Sequence, residues 1–255
     1  MAWRQLERHG AQWDAGCTVW GSTPTCRGFD HFNGFYSAAS DYFTHNVGGN
    51  SLDYHFDFKN DLDAIGVYTT HHVTTAVQTW IAKQIQASAS AKTFAYVAHE
   101  AVHGPLEVPV SYIEGPCEQL VPASHPSRRI YCGMVRAADE SLKNISETYK
   151  QLGIWDQTLT IVSADNGGNV NDGGNNYPLR GNKATTWEGG VRGMGFISGA
   201  GIAPHVAGTV SHDIIHVSKH APCLRLSLAL RLGLALCVST SAPIFSACHL
   251  ALSLV

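Results

Sequence analysis

Apolar residues recur along the chain at two different periods, and each period predicts a type of element. Between Val73 and Ile85 they stand three and four residues apart, which predicts an amphipathic helix. The same spacing returns from Met134 to Tyr149, and Gly153 shortly afterwards suits the end of a helix. Short runs of β-branched and aromatic residues, typical of buried strands, lie between and after these helices. The predicted strands are Thr93 to His99, Thr158 to Asp165 and Gly193 to Ser198.

The order of these elements predicts the fold class. A strand, a helix and a second strand in succession are typical of an α/β domain with a mostly parallel sheet flanked by helices. At 255 residues, the chain is long enough for one domain of this kind. Ligands of such sheets bind just beyond the carboxyl ends of the strands. Polar residues at those ends are therefore the candidates for chemistry.

Asp165 and Asn166 stand at the carboxyl end of the second predicted strand. They lie directly before a glycine-rich connection, residues 167–193. Asn166-Gly167 is also a strong signal for a hairpin turn. However, the residues that follow are polar and glycine-rich, and they lack the alternation of a returning strand. Neighbouring carboxylate and amide oxygens suit a hard cation such as Ca²⁺ or Mg²⁺. We therefore expect a cation site here, and a hairpin turn is the alternative.

Two basic residues could complete this site. His103 lies a few residues beyond the first predicted strand, in a loop that contains Gly104 and Pro105, and Lys183 lies in the glycine-rich connection. Alone, each is typical of an ordinary surface residue. Together with a cation they would form a clamp for a tetrahedral oxyanion. The cation and the ammonium would neutralise charge, and the imidazole would protonate a leaving oxygen.

Composition narrows the range of partners. A net charge of -3 and a pI near 6.5 provide no basic surface for a polyanion, so we expect no nucleic-acid partner. Leu232 to Val255 contains no Asp, Glu, Lys or Arg. This apolar tail exceeds the roughly 20 residues that span a bilayer, but Pro243 and His249 interrupt it and it lacks aromatic belts.

The tail is therefore a weak candidate for a membrane anchor, and we expect no membrane partner. Translated non-coding or shifted sequence is the favoured explanation, and a genuine core helix is the least favoured. Its Leu and Ala repeat too uniformly to specify one packing. We predict that Cys223 to Val255 does not continue the core of the sheet.

Signals of a secretory route disagree with one another. Seven cysteines without a C-x-x-C pair argue against a zinc ribbon or a thioredoxin-type redox motif. Cys117 and Cys132 flank a polar loop that a local disulfide could close, although spacing alone does not decide the pairing. Asn144 begins an Asn-Ile-Ser triplet, which is an acceptor for glycosylation. The N-terminal residues, by contrast, contain no uninterrupted apolar run and are not a signal peptide.

Several segments carry a family resemblance. They are RGFDHFNGFYSAASDYFTH, VHGPLEVP, GMVRAADESLKNISETYKQLGIWDQTLTIVSADNGG, GGNNYPLRGNKATTWEGGVRGMGFISG and AGTVSHDIIHVS. They resemble the sulfatases, in the arylsulfatase B-like branch that includes arylsulfatases I and J. The resemblance covers residues 27–218 as a partial catalytic domain. Residues 1–26 are unmatched, and 219–255 form an apolar tail unlike the family.

The resemblance implies an alkaline phosphatase-like α/β fold, here incomplete, and a sulfuric ester hydrolase. Its substrates would be small-molecule or glycan sulfate esters, and its location lysosomal or secreted. Asp165 and Asn166 would be two ligands of a Ca²⁺ ion. Lys183 would contact the sulfate, and His103 would hydrogen-bond the ester and help the leaving group depart.

The chain also departs from the family pattern. The nucleophile of sulfatases is a formylglycine made from the cysteine of a C-x-P-S-R motif, and neither that motif nor the family's aspartate pair is present. Ser124 begins an S-x-P-S-R sequence, but it lies after His103 and has a bulky histidine in second place, so we treat it as a decoy. We expect an N-terminally truncated, C-terminally divergent fragment that is inactive as written. Alternatives are a non-catalytic oxyanion-binding protein and a phosphoester hydrolase of the same superfamily.

Overall fold

The computed structural model of the protein describes residue 21, residues 23–214 and residues 249–254. The first part of this chain is a region of short antiparallel strands. Its strands are β1 (Asn33–Gly34), β2 (Asn46–Val47), β3 (Ser51–Leu52), β4 (His55–Phe56) and β5 (Lys59–Asn60). β4 pairs with both β1 and β5, and β2 pairs with β3.

Two long helices follow, as the apolar spacing predicts. α1 (Thr69–Ala87) precedes the main sheet, and the short α2 (Pro116–Leu120) leads into α3 (Pro126–Gln151). α3 begins earlier than its apolar pattern, because Pro126 occupies its first turn, where a missing N–H costs nothing. Gly153 follows the helix in the left-handed conformation that helix ends favour. None of the helices in the described part of the chain is long and apolar enough to cross a membrane.

The core lies where α1 and α3 pack together over the first strand of the main sheet. The helices supply Val77, Ile81, Ile145 and Tyr149, and the strand supplies Ala95 and Val97. A second cluster lies nearer the polar loops. Its buried members are Tyr42, Tyr68, Ala101, Tyr112, Met134 and Ala137. The second cluster includes Ala101, and Val102 and Leu106 pack against it, so it supports the loop that carries His103.

The main sheet has four described strands in the order β6-β9-β7-β8. They are β6 (Ala95–Val97), β7 (Thr158–Ser163), β8 (Gly195–Gly199) and β9 (His249–Leu254), with the short α4 (Glu188–Val191) before β8. All three strand predictions are confirmed as strands. The expected parallel pairing is corrected, because every neighbouring pair is antiparallel. β6 and β7 do run in the same direction, with β9 between them, and residue periodicity does not encode strand direction.

The apolar tail supplies the strand that lies between β6 and β7. Residues 249–254 pair with both neighbours, so the prediction that the tail stays outside the core of the sheet is wrong for these residues. The sequence HLALSL alternates leucine with smaller or polar residues, which is the strand period. The rest of the tail, residues 215–248 and 255, lies outside the described residues.

A disulfide joins Cys117 in α2 to Cys132 in α3. It closes the polar loop between them, as the sequence allowed. This covalent link anchors the short helix and the loop to the first turns of α3. Cys26 is the free cysteine among the described residues, and it is exposed.

Candidate functional site

Asp165 and Asn166 lie directly beyond the carboxyl end of β7. The hairpin alternative is wrong, because the antiparallel partner β8 begins only at Gly195, after the whole glycine-rich connection. Gly167 turns the chain into this connection, and its N–H donates to the carbonyl of Gly190 at 2.9 Å. A Cβ on Gly167 would lie 1.8 Å from the Gly189 carbonyl oxygen, so only glycine permits this approach.

Two oxygens at this strand end are buried without a hydrogen-bond donor. They are Oδ2 of Asp165 and Oδ1 of Asn166. The Asn166 amide nitrogen donates to the Gly167 carbonyl at 2.9 Å. Unsatisfied buried oxygens are costly, and a hard cation is a group that satisfies carboxylate and amide oxygens together. The donor set therefore fits part of a Ca²⁺ site.

Positive charge from two separate loops acts on Asp165. Burial raises the pKa of its carboxyl, and the charges of Lys183 and His103 oppose that rise. Both basic groups therefore lie within electrostatic reach of the carboxylate. Electrostatic interactions thus link Asp165 to two of the residues that the sequence singled out, one in the loop after β6 and one within the glycine-rich connection.

Asn176 ties the loop that carries Lys183 to the end of β7. Its side-chain oxygen accepts from the Gly168 N–H at 2.8 Å, and its amide nitrogen donates to the Gly168 carbonyl at 2.8 Å. The Lys183 N–H donates to the same carbonyl at 3.3 Å. The Asn176 side chain thus satisfies both backbone groups of Gly168, as a neighbouring strand would in a sheet. Asn176 sets the position of Lys183 relative to Asp165.

The loop after β6 holds His103 by its backbone and by its ring. The His103 N–H donates to the Glu100 carbonyl at 2.7 Å. Its ring Nδ1 lies 2.7 Å from the Gly104 carbonyl, which can only accept, so Nδ1 carries the proton. This hydrogen bond leaves Nε2 as the ring nitrogen that can take up or release a proton.

Residues 40–44 brace this loop through three acidic side chains. The Ser40 N–H donates to Glu100 at 2.7 Å, and the Tyr42 N–H donates to Glu107 at 2.9 Å. Asp41 accepts from the two N–H groups that follow Tyr42. The Tyr42 hydroxyl donates to the His103 carbonyl at 2.9 Å. The His103 loop is therefore held from a segment far away in sequence.

Two buried ionisable groups precede His103. Burial lowers the pKa of the His99 imidazole to about 4, and its Nε2 lies 3.0 Å from the Ser141 hydroxyl. Burial and the nearby Glu107 raise the pKa of the Glu100 carboxyl to about 7, against the hydrogen bonds from Ser40. The lowered pKa of His99 makes the fold less stable in acid, whereas the raised pKa of Glu100 makes it more stable there.

Two other predicted residues lie on α3 or beside it. Ser124 is exposed in the turn before α3, where its hydroxyl lies 3.0 Å from the His125 ring. No described contact links Ser124 to Asp165. Asn144 is half-buried in the middle of α3, and its carbonyl accepts from Gln78 of α1 at 3.2 Å. Its glycosylation stays a prediction.

Sequence reasoning missed Tyr42 and Asn176. Tyr42 donates to the main-chain carbonyl of His103, and Asn176 bonds to the main chain of Gly168, which also accepts from the Lys183 N–H. Asn176 had a weak signal, since it lies in the glycine-rich connection, where side-chain amides often bond to the backbone. Tyr42 had none, because its partner lies 61 residues away.

An α/β domain with a carboxylate and an amide oxygen, a lysine and a histidine beyond its strand ends has the donor set that an oxyanion-binding site with a cation requires. The Sulfatase family profile matches residues 13–223. The chain therefore belongs to the sulfatase family, and its alkaline phosphatase-like α/β fold follows from that membership and from the structural likeness described next.

Curated and solved relatives agree with this assignment. Arylsulfatase J of Mus musculus is 36% identical over 212 residues, which are 81% of this chain and 34% of that protein. Steryl-sulfatase of Rattus norvegicus is 32% identical over 80 residues, 28% of this chain and 14% of that protein. The structure of Ps i-CgsB in complex with k-i-k-neocarrahexaose has a TM-score of 0.59 at 26% identity, covering 68% of this chain and 40% of that one. The chain thus spans about a third of the length of arylsulfatase J.

Proposed function

We propose that the chain provides the substrate-binding part of a sulfuric ester hydrolase that acts on sulfate esters of glycans or aryl alcohols. The observation that carries this proposal is the pair of buried oxygens on Asp165 and Asn166 that lack donors, with Lys183 and His103 in electrostatic reach. Membership of the sulfatase family supports sulfate as the anion. The neocarrahexaose bound to the solved relative Ps i-CgsB supports a glycan as the substrate.

Each residue has a role that follows from its contacts. Lys183 supplies a point charge for the sulfate oxygens, and Asn176 holds its loop in place. His103 donates from Nε2 to the ester oxygen when protonated, because Nδ1 is engaged with Gly104. Asp165 and Asn166 would hold a Ca²⁺ ion, which when bound would neutralise negative charge on the sulfate.

The described residues form only part of a calcium site. Ca²⁺ takes about six to eight oxygen ligands, of which Asp165 and Asn166 supply about two or three. The described part of the chain contains no group of three or more His, Cys, Asp or Glu side chains that could hold a metal. We therefore expect weak calcium binding by this chain.

We further propose that the chain, as written, does not turn over sulfate esters. A C-x-P-S-R motif is absent from its 255 residues. Removing a nucleophile commonly costs many orders of magnitude in rate. The S-x-P-S-R sequence does not replace it, since Ser124 is exposed and contacts His125 rather than the site.

Two alternative functions would use the same four site residues. A non-catalytic oxyanion-binding protein would bind sulfate through Lys183 and never react. A phosphoester hydrolase of the same superfamily would prefer phosphate to sulfate. The match to the sulfatase family over residues 13–223 favours the sulfatase proposal over the second alternative.

Binding and turnover together test the proposal. The chain should bind inorganic sulfate in low salt, and Lys183→Gln should abolish that binding while Lys143→Gln, on an exposed helix face, leaves it unchanged. Neither variant nor wild type should hydrolyse a chromogenic aryl sulfate, gain calcium-dependent thermal stability at micromolar metal, or contain formylglycine by mass spectrometry. Turnover that Ser124→Ala abolishes would contradict the decoy assignment.

Further measurements separate the alternatives. Tighter binding of phosphate than of sulfate supports the phosphoester alternative. A C-x-P-S-R motif encoded upstream of Met1 in the transcript supports the hydrolase, and a start at Met1 supports the non-catalytic protein. We also propose a secreted or lysosomal location, since the disulfide between Cys117 and Cys132 suits an oxidising compartment.

A further inference from the structure

Arg180 and Trp187 form an exposed stacked pair on the loop that carries Lys183. The guanidinium carbon of Arg180 lies 3.8 Å from the centroid of the Trp187 ring. Arg180 is exposed, and Trp187 keeps 49% of its surface exposed. A guanidinium stacked on a ring still directs its N–H donors outward in its own plane. The stack therefore orients Arg180 without using its hydrogen bonds.

The guanidinium of Arg180 has no acceptor among the described residues, whereas other arginines do. Protein oxygens accept, for example, from Arg128, Arg129, Arg136 and Arg192. The carboxylate of Glu188, the residue that follows Trp187, accepts from Arg192. An oriented guanidinium without a neutralising carboxylate is suited to bidentate binding of an anion from solution.

The loop between Arg180 and Trp187 is tightly folded. The Gly189 N–H donates to the Arg180 carbonyl at 2.7 Å. A Cβ on Gly181 would lie 2.7 Å from the Trp187 Cβ, and the φ of Gly181 is +87°. The Lys183 N–H is bonded to Gly168 in the same fold of chain. Arg180 and Lys183 are thus two cations on one constrained loop.

We infer that Arg180 and Trp187 form a second subsite beside the sulfate site at Lys183, which binds a sugar ring carrying a further anionic group. The inference rests on the proposed function, because Lys183 must bind the first sulfate. The guanidinium would bind the second sulfate or carboxylate in its plane, and the exposed part of the Trp187 ring would pack on the sugar. The substrate class is then a multiply charged glycan sulfate rather than an aryl monosulfate.

Affinity measured by titration calorimetry in low salt tests this subsite without requiring turnover. The probes are inorganic sulfate and three disaccharides of hexosamine and neutral sugar that carry no, one or two sulfates. Wild type should bind the disulfated form about tenfold more tightly than the monosulfated form, as expected for one added charge-assisted bidentate contact. Arg180→Gln should remove this preference while the part of inorganic sulfate binding that depends on Lys183 remains. Arg192→Gln, an exposed arginine already paired with Glu188, is the matched control and should change neither.

The outcomes distinguish a failure of the proposed function from a failure of the Arg180 subsite alone. Inorganic sulfate binding that is absent, or insensitive to Lys183→Gln, contradicts the proposed function. Sulfate binding at Lys183 without a preference for the disulfated sugar in wild type overturns the subsite alone, whether or not the Arg180 variants fold. A preference that survives Arg180→Gln also overturns it. Arg180→Lys, which keeps the charge but loses the planar fork, should retain only part of the preference.

Discussion

The Tyr42 hydroxyl donates a hydrogen bond of 2.9 Å to the main-chain carbonyl of His103, across 61 residues of sequence. Tyr42 is fully buried and stacks on Tyr68 at a centroid distance of 5.4 Å. Its own carbonyl accepts from the backbone N–H and the hydroxyl of Thr69 at the start of α1. The position of the His103 loop therefore depends on the packing of α1.

Tyr42→Phe should lower the free energy of unfolding by about 1 to 2 kcal/mol, since it leaves a half-buried carbonyl without its donor. It should also change the ¹⁵N chemical shifts of the His103 ring in NMR spectra. Tyr54→Phe is the matched control, because Tyr54 is equally buried and its hydroxyl bonds to Asn33. A similar loss of stability in both variants with no change at His103 in either would show that Tyr42 has only a structural role.

Asn176→Asp should loosen the loop that carries Lys183. The carboxylate keeps the acceptor for the Gly168 N–H, but it repels the Gly168 carbonyl that the amide now bonds. We expect at least a several-fold loss of affinity for inorganic sulfate and faster proteolysis of the loop. Asn175→Asp is the control, because the Asn175 oxygen accepts from Tyr177 and a carboxylate preserves that bond. Equal affinities in the two variants would refute the positioning role of Asn176.

Asp165→Asn should raise the melting temperature in the presence of a chelator at neutral pH. Asp165 bears a buried carboxylate oxygen without a donor, and burial outweighs its attraction to Lys183 and His103. Removing that charge relieves an unfavourable desolvation, as is common at functional sites. Asp156→Asn, in the short turn before β7, is the control and should have little effect. A destabilised Asp165→Asn variant would mean that the carboxylate has a structural partner.

Glu100→Gln should change how stability depends on pH. The pKa of Glu100 in the folded chain is raised to about 7. The contribution of Glu100 to the free energy of unfolding is therefore complete below its usual pKa of 4.5 and is lost as pH rises through about 7. Relative to wild type, the glutamine variant should therefore gain stability between pH 5 and pH 8, by an amount of the order of 2 kcal/mol.

His99 acts in the opposite direction and makes a useful comparison. The pKa of His99 in the folded chain is lowered to about 4. Its contribution to the free energy of unfolding is therefore present above pH 6.5 and is lost as pH falls towards 4. The difference in melting temperature between Glu100→Gln and wild type isolates Glu100, since His99 is common to both. A difference that is constant from pH 5 to pH 8 would contradict the raised pKa of Glu100.

The disulfide between Cys117 and Cys132 should stabilise the chain by about 3 kcal/mol, because it closes a loop with a sequence separation of 15. Replacing both cysteines with serine should lower the denaturant midpoint accordingly. Cys26→Ser, at an exposed free cysteine, should not. Under reducing conditions, the denaturant midpoint of wild type should fall to that of the double variant. A midpoint that does not respond to reductant would show that the disulfide contributes nothing to stability.

The helices and strands, and which residues to consider for the candidate site, could be predicted from the order of residues alone. Period 3.6 located α1 and α3, short apolar runs located β6, β7 and β8, and strand ends singled out Asp165, Asn166 and His103. These features are local, or follow from the rule that ligands bind at strand ends. Lys183 was likewise identified from the loop that follows β7.

How these elements and residues meet depends on the three-dimensional fold. The fold places residues 249–254 between β6 and β7, and neighbouring strands of the main sheet are antiparallel wherever the structure describes them. It also brings Tyr42 to the His103 carbonyl and Asn176 to Gly168. Strand pairing and side-chain bonds to the main chain depend on which distant segments are brought together by packing, and neither hydrophobic periodicity nor residue type encodes that choice.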